Sequence, residues 1–217
     1  MSLEDAGVIY KNAIFFDLEH YIYKKPICIG VFGCCYYDEA EQKLIITQYM
    51  IENKKDAVDI LYMAEDYFNN MLLNNKKYIV TFSGNNDFTV VNYLFNKYNI
   101  DFSINDNFIH IDLQKEYEIQ TKSHTGLKAL EKIFNIQRDS ELISGSNLAK
   151  TFGKIVKDDT YIDRMPKEKM EKILLYNEQD IVSLFQIYTN WDMVRTLSSE
   201  ETQNQVDETK DLSCETT

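Results

Sequence analysis

The 217-residue chain is poor in the features that would assign it to many classes. It has no uninterrupted apolar run approaching the roughly eighteen residues of a membrane span. Its first residues, Met1 to Lys11, carry Glu4 and Asp5 and no apolar stretch, so no secretory signal is expected and the cytosol is the default location. Only four cysteines occur, Cys28, Cys34, Cys35 and Cys214, with no Cys-x-x-C pair and no second cluster to complete a zinc site. They read as small buried hydrophobes in a reducing compartment, Cys28 and Cys34 on one side of a strand and Cys35 on the other. The three histidines, His20, His110 and His124, form no i,i+4 metal pair. No internal repeat is present. Excess positive charge is also lacking. The net charge of −12 argues against a general electrostatic grip on nucleic acid, although metal ions bound by carboxylates can supply a local positive field. Part of that charge is terminal, because Glu200 to Thr217 holds six acids against Lys210 alone.

What is present is an ordinary apolar content, enough for a core of useful size, in an ordered sequence of patterns. Ala13 to Glu19 reads as a buried strand ending in acids. Pro26 to Tyr37 and Leu44 to Ile51 read as two further strands joined by a polar hairpin turn at 38–43. From Lys55 to Leu73 the apolar period becomes helical. Lys77 to Phe82 is a fourth strand, followed by the turn Ser83-Gly84-Asn85-Asn86 and a helix over Asp87 to Tyr98. A short strand follows at Asn107 to Leu113. Further helices are predicted over His124 to Phe134, over Ser144 to Val156 with Ser144 or Ser146 as cap, and from Pro166 to about Arg195. One domain over 1–196 is expected. Residues 197–217 lack any apolar period and read as a disordered acidic tail. Three antiparallel strands followed by helix, strand, helix and strand imply an α/β fold. Its central mixed sheet is flanked by helices, in the element order of the ribonuclease H fold.

The acids fall at informative spacings. Asp17 and Glu19 are two apart in a strand, so both side chains share one face. Like charges held that close repel, and each keeps its proton unless a cation joins them. A strand end running into solvent also carries acids. Asp87 opens a helix after a Gly-containing turn, where it serves the helix dipole or faces a cation beyond the strand ends. Tyr176 and Asp180 lie four apart on the last helix, on one face with Ile173 and Leu184. An acid on an apolar stripe calls for a metal or a basic partner, unless it sits at the rim. Asp112 alternates with His110 on one face of the fifth strand, as an accessory ligand or part of a polar sheet face. His20 follows Glu19 and could face a substrate.

In this order, Asp-x-Glu, then Asp after a Gly-containing turn, then Tyr-x-x-x-Asp on a late helix, the residues Asp17, Glu19, Asp87, Tyr176 and Asp180 resemble the DEDD exonucleases of the tyrosine subtype. Within that group the chain is similar to the YprB-type ribonuclease H-like domain family. The likeness extends over roughly 12–190. It is carried by Phe-Phe-Asp-Leu-Glu, Phe-Ser-Gly-Asn-Asn-Asp-Phe, Ile-His-Ile-Asp-Leu, Gly-Leu-Lys-Ala-Leu-Glu-Lys-Ile-Phe-Asn-Ile-Gln-Arg, Ser-Gly-Ser and Tyr-Asn-Glu-Gln-Asp-Ile-Val. The middle motif departs from the family, which has Asn-Gly then Phe-Asp. Here Asn86 stands where the Phe would be, and Asp87 is the only nearby acid that can serve.

The resemblance implies a 3′→5′ exonuclease that hydrolyses phosphodiester bonds at single-stranded DNA or RNA ends. It implies two divalent cations, Mg²⁺ or Mn²⁺, held by Asp17, Glu19, Asp87 and Asp180. Asp17 would bridge both ions, Glu19 and Asp180 would complete one, and Asp87 would help hold the other. Tyr176 would orient the attacking water. Two other readings share these residues: a non-catalytic nucleic-acid-binding module that retains the fold, and a small-nucleotide phosphohydrolase. Phe88, Tyr21 and Tyr23 are candidates for base stacking, and Lys24, Lys25, Lys115, Lys122, Lys128, Lys150 and Lys154 for phosphate contacts.

Overall fold

The structure, a computed structural model, describes residues 9–138 and 143–194. The expected acidic tail lies outside the described residues. Strands β1 (Ala13–Tyr23), β2 (Lys25–Asp38), β3 (Lys43–Met50), β4 (Tyr78–Thr81) and β5 (Ile109–Asp112) form one sheet in the order β3-β2-β1-β4-β5. β2 runs antiparallel to β1 and β3, whereas β4 is parallel to β1 and β5 parallel to β4. This is the mixed sheet expected from the sequence. Helices α1 (Asp56–Leu73) and α2 (Asn85–Lys97) follow β3 and β4. The short α3 (Ile104–Asn107), α4 (Leu113–Thr121), α5 (Leu127–Ile133), α6 (Gly145–Ile155) and the long α7 (Lys167–Thr189) complete the order. Among the described residues no helix is long and apolar enough to cross a membrane.

Alternation along β1 divides the core. Ile14, Phe16 and Leu18 pack with Phe68 of α1 and Phe88, Val91 and Phe95 of α2. Ala13 and Phe15 point to the other face and pack with Ile181, Leu184 and Tyr188 of α7. Cys28 and Cys34 belong to the first cluster and Cys35 to the second, all three buried. Asp17 and Glu19 continue the α7 side of β1 where the strand emerges from the core, and the burial pattern changes there from fully to partly buried.

Two irregularities shape this end of β1. The β1–β2 register shifts between Glu19 and His20 and again between Tyr21 and Ile22. Such bulges bend a strand and re-aim its side chains. The first leaves Gly30 of β2 unpaired in register, and Phe152 of α6 fills the space above it. A Cβ at Gly30 would lie 2.3 to 2.5 Å from the Phe152 ring.

Several elements differ from the sequence reading: the short α3 has no counterpart in it, and α7 ends at Thr189 rather than near Arg195. The helix expected from His124 begins at Leu127, and the turn expected at Asn85-Asn86 is already the first turn of α2. α4 has no counterpart in that reading. Its buried residues are only Leu113 and Tyr117, too few for a visible stripe, and the Asp112 side chain caps it by accepting from the Gln114 amide. Ser144 caps α6 by accepting from the Asn147 amide, one of the two caps expected.

Replacing Gly30 by Ala is expected to lower unfolding stability by about 1–3 kcal/mol, because the added methyl must displace an aromatic ring in the core. Urea denaturation measures it, and an unchanged midpoint would contradict the packing described.

Candidate metal centre

Carboxylate oxygens of Asp17, Glu19 and Asp180 lie within 4.8 Å of one another. β1 supplies two of them through its period of two, and α7, crossing that face, supplies the third. On α7 the stripe Ile173, Asn177, Asp180, Ile181, Leu184 is buried, so Asp180 enters the site from an apolar surface with its side chain 7% exposed.

The charges are crowded, and their proton affinities show it. Partial burial and the nearby Asp180 charge push the Asp17 carboxyl up to about 7, although a hydrogen bond from Asn177 and the charge of Lys128 oppose the shift. Burial and the charges of Asp17, Asp180 and Asp87 push Glu19 up to about 9. Asp87 is not in the close triplet, but it shares the field. Burial, Asp17 and Asp112 hold its carboxyl well above the ordinary range. Its Oδ1 lies 3.8 Å from Nδ1 of His20, whose own proton affinity is lowered by burial. His20 thus turns its Nδ1 toward Asp87 and stays partly exposed.

The protein's own groups offset part of this repulsion. Asn177, fully buried, donates from Nδ2 to Asp17 Oδ2 at 2.9 Å. Its Oδ1 accepts from Gln48 Nε2 at 2.8 Å, and the same Gln48 nitrogen donates to the Leu174 carbonyl at 2.9 Å. This relay needs Gly33, the register partner of Asp17, because a Cβ there would lie 2.0 Å from Asn177 Oδ1. Asp180 pairs with Lys128 of α5 and with Arg138. Arg138 is clamped in turn by Glu131, buried on α5, through a 2.7 Å bond from Nε and a second from the guanidinium. Burial works to discharge Arg138, but Glu131 and Asp180 outweigh it, so its proton is held more firmly than usual. Both cations lie over the Tyr176 ring, Lys128 Nζ at 4.6 Å and the Arg138 guanidinium at 5.5 Å from its centroid. Burial and the charges of Asp180, Glu19 and Asp17 raise the Tyr176 phenol, which therefore remains a hydrogen-bond donor near neutral pH.

Asp112 is engaged differently. Its Oδ1 accepts from the Ser83 amide at 2.9 Å and the Gln114 amide at 3.1 Å, tying the β4–α2 turn to the start of α4. Ser83 adopts φ 58°, and Gly84 approaches Thr81 so closely that a Cβ would lie 2.3 Å from Oγ1. Asp112 thus fixes the turn that presents Asp87. His110 is held by Thr81 Oγ1 at 2.7 Å and packs on Phe88, 4.4 Å between ring centroids. Phe88 is buried and contributes to the core rather than to a base-stacking surface.

Asn177, Gln48, Gly33, Glu131 and Arg138 are absent from the sequence-level candidates. Asn177 carried a usable signal, a polar residue on the same apolar stripe as Asp180. Arg138 carried one as well, since it ends the motif at 126–138 and lies seven residues from Glu131, whereas Gln48 carried none, its partners being 126 and 129 residues away.

A family model described as RNase_H superfamily (RNase_H_2) matches residues 14–192. The chain belongs to the RNase H superfamily. No curated protein matches it with significance. Members of the superfamily are generally nucleases that use divalent metals and bind nucleic acids. The triplet found here fits that chemistry. All its donors are carboxylate oxygens, the ligands hard divalent cations prefer, and the raised proton affinities of Asp17 and Glu19 mark a place where added positive charge is favoured.

Unfolded side-chain carboxyls titrate near pH ~4. Asp17 and Glu19 hold protons more tightly when folded, up to about 7 and about 9. Between these limits the folded chain carries more protons than the unfolded one, so their contribution to metal-free stability is lost as pH rises through the window. Mn²⁺ competes with those protons. The rise in Tm on adding Mn²⁺ is therefore expected to be larger at about pH 8.5 than at about pH 6, and to be largely lost in Asp17→Asn. An equal or smaller rise at the higher pH contradicts the assignment.

Proposed function

We propose that this RNase H superfamily member is a 3′→5′ exonuclease of the DEDD tyrosine subtype, with the YprB-type motif set it resembles, acting on single-stranded DNA or RNA ends. The observation that carries this reading is the meeting of the first motif with the last: Asp17 and Glu19 of β1 against Asp180 of α7. Asp87, coupled by charge to Glu19 and Asp17, supplies the fourth carboxylate. Bound Mg²⁺ or Mn²⁺ would supply positive field at the scissile phosphate and acidify a water.

The remaining work falls to the chain. Asn177 and Gln48 fix Asp17 in one orientation, so its oxygens are aimed before any ligand arrives. Tyr176, kept protonated, donates a hydrogen bond that orients the attacking water and is not itself the base. Lys128, partly exposed and paired with Asp180, is placed to turn toward a phosphate oxygen as the strand end enters. Arg138, held by buried Glu131, stays behind to keep Asp180 in position.

One observation favours a second reading. Lys128 and Arg138 already satisfy Asp180, as a non-catalytic binding module retaining the fold would require. Hydrolysis separates the two. With 5′-labelled single-stranded DNA and RNA and Mg²⁺ or Mn²⁺, the nuclease reading expects a ladder shortening from the 3′ end. The ladder should vanish in Asp180→Asn and with chelator, and Tyr176→Phe should lower kcat by about a hundredfold. Intact substrate with well-folded wild type under either metal rejects the nuclease reading and leaves the binding module.

A further inference from the structure

Beyond Glu19, β1 leads into a cleft of about 580 Å³ that none of the carboxylate chemistry uses. It lies where the far end of the β1–β2 hairpin meets the start of α1, the end of α2 and the end of α6. Three tyrosines and three lysines line it: Tyr21, Tyr23, Tyr98, Lys54, Lys97 and Lys157. Its floor is aliphatic, with Ile27 and Val58. Among the described residues no carboxylate lines it, although the chain has 35 acids against 23 lysines and arginines. The three lysines are exposed. Two of them stand over rings, Lys97 4.9 Å from the Tyr98 centroid and Lys157 6.0 Å from that of Tyr21, while Lys24, outside the lining, lies 5.8 Å from that of Tyr23. Tyr21 is braced from below, for a Cβ on Gly153 would lie 3.0 Å from its ring. Tyr23 is 65% exposed, a ring face left in water.

We infer that this cleft holds unpaired nucleotides of the strand whose end meets the carboxylates. Aromatic faces beside lysines are the combination that grips single strands without reading sequence, the bases stacking and the phosphates pairing with the ammonium groups. The placement suits the task. Tyr21 follows Glu19 by two residues, about 7 Å along β1, so a strand entering the cleft reaches the metal centre within a short length of chain. The cleft also resolves the charge problem. A chain of net charge −12 repels nucleic acid at long range, and a local cationic cleft free of carboxylates is where that repulsion reverses. A free anion would use the lysines alone and leave three tyrosines without a purpose. The role of the cleft as a substrate track rests on the nuclease reading, whereas its affinity for single strands does not.

Fluorescence anisotropy of labelled oligothymidylate, with chelator present so that no cleavage occurs, tests the binding. Tyr23→Ala should weaken binding about tenfold, the loss of one base stack. Lys157→Glu should weaken it and lower the slope of log affinity against log salt by about 1. Both positions are exposed, and unchanged thermal melting would establish that the variants fold. Inorganic tripolyphosphate, which has the charge and no bases, should compete poorly, and full competition overturns the stacking assignment. Equal oligothymidylate affinity in wild type and both variants overturns the cleft and leaves the nuclease reading standing. Oligothymidylate bound through these residues, by a protein that hydrolyses none with metal present, supports the cleft and sinks the nuclease reading alone.

Discussion

Repulsion among three carboxylates is the constraint around which this molecule is arranged. Asp17, Glu19 and Asp180 bring their oxygens within 4.8 Å of one another at a place only partly open to water. Left alone, such a group would stay protonated or push its elements apart. The surrounding residues answer it from both sides. Asn177, backed by Gln48, donates to Asp17, while Lys128 and Arg138 place positive charge on Asp180. The offset is incomplete. Asp17 and Glu19 still hold their protons far more tightly than free carboxyls do, and that residue of unmet negative charge is what a divalent ion can use.

The fold serves this arrangement at each level. β1 lies in the middle of the sheet, paired with β4 up to Phe15 and with β2 past Asp17, so the backbone leading to Asp17 is held firmly. α7 anchors through Ile181, Leu184 and Tyr188 to the same face, and its helical spacing delivers Asn177 and Asp180 one turn apart. Gly33 leaves the room that Asn177 needs. On the next strand but one, Asp112 gives up its own carboxylate to fix the turn before Asp87, so an acid that looks like a ligand works as a brace. The bulges past Glu19 then turn β1 away toward the tyrosine-lined cleft.

Local periodicity explains which of these features the sequence disclosed. Two residues apart in a strand and four apart on a helix are relations that the chain states directly, so Asp17 with Glu19 and Tyr176 with Asp180 were legible, as were the strands and the long helices. α4 was not legible because its cap and two buried residues give no repeating signal. The Asp180 partnership was hidden for another reason: Lys128 and Arg138 are 52 and 42 residues away, and only the folded chain brings them together. Asp87 lies between these cases. Its place at the start of a helix was readable, but its coupling to Asp17 and Glu19 depends on the Ser83 turn, whose geometry is set by Asp112 across the sheet.

The most direct measurement is the anomalous scattering of a crystal of the protein soaked in Mn²⁺. The account expects a peak between the carboxylates of Asp17, Glu19 and Asp180, with the Lys128 ammonium displaced from Asp180. Lys128 still seated on Asp180, with manganese bound elsewhere or nowhere, would contradict it.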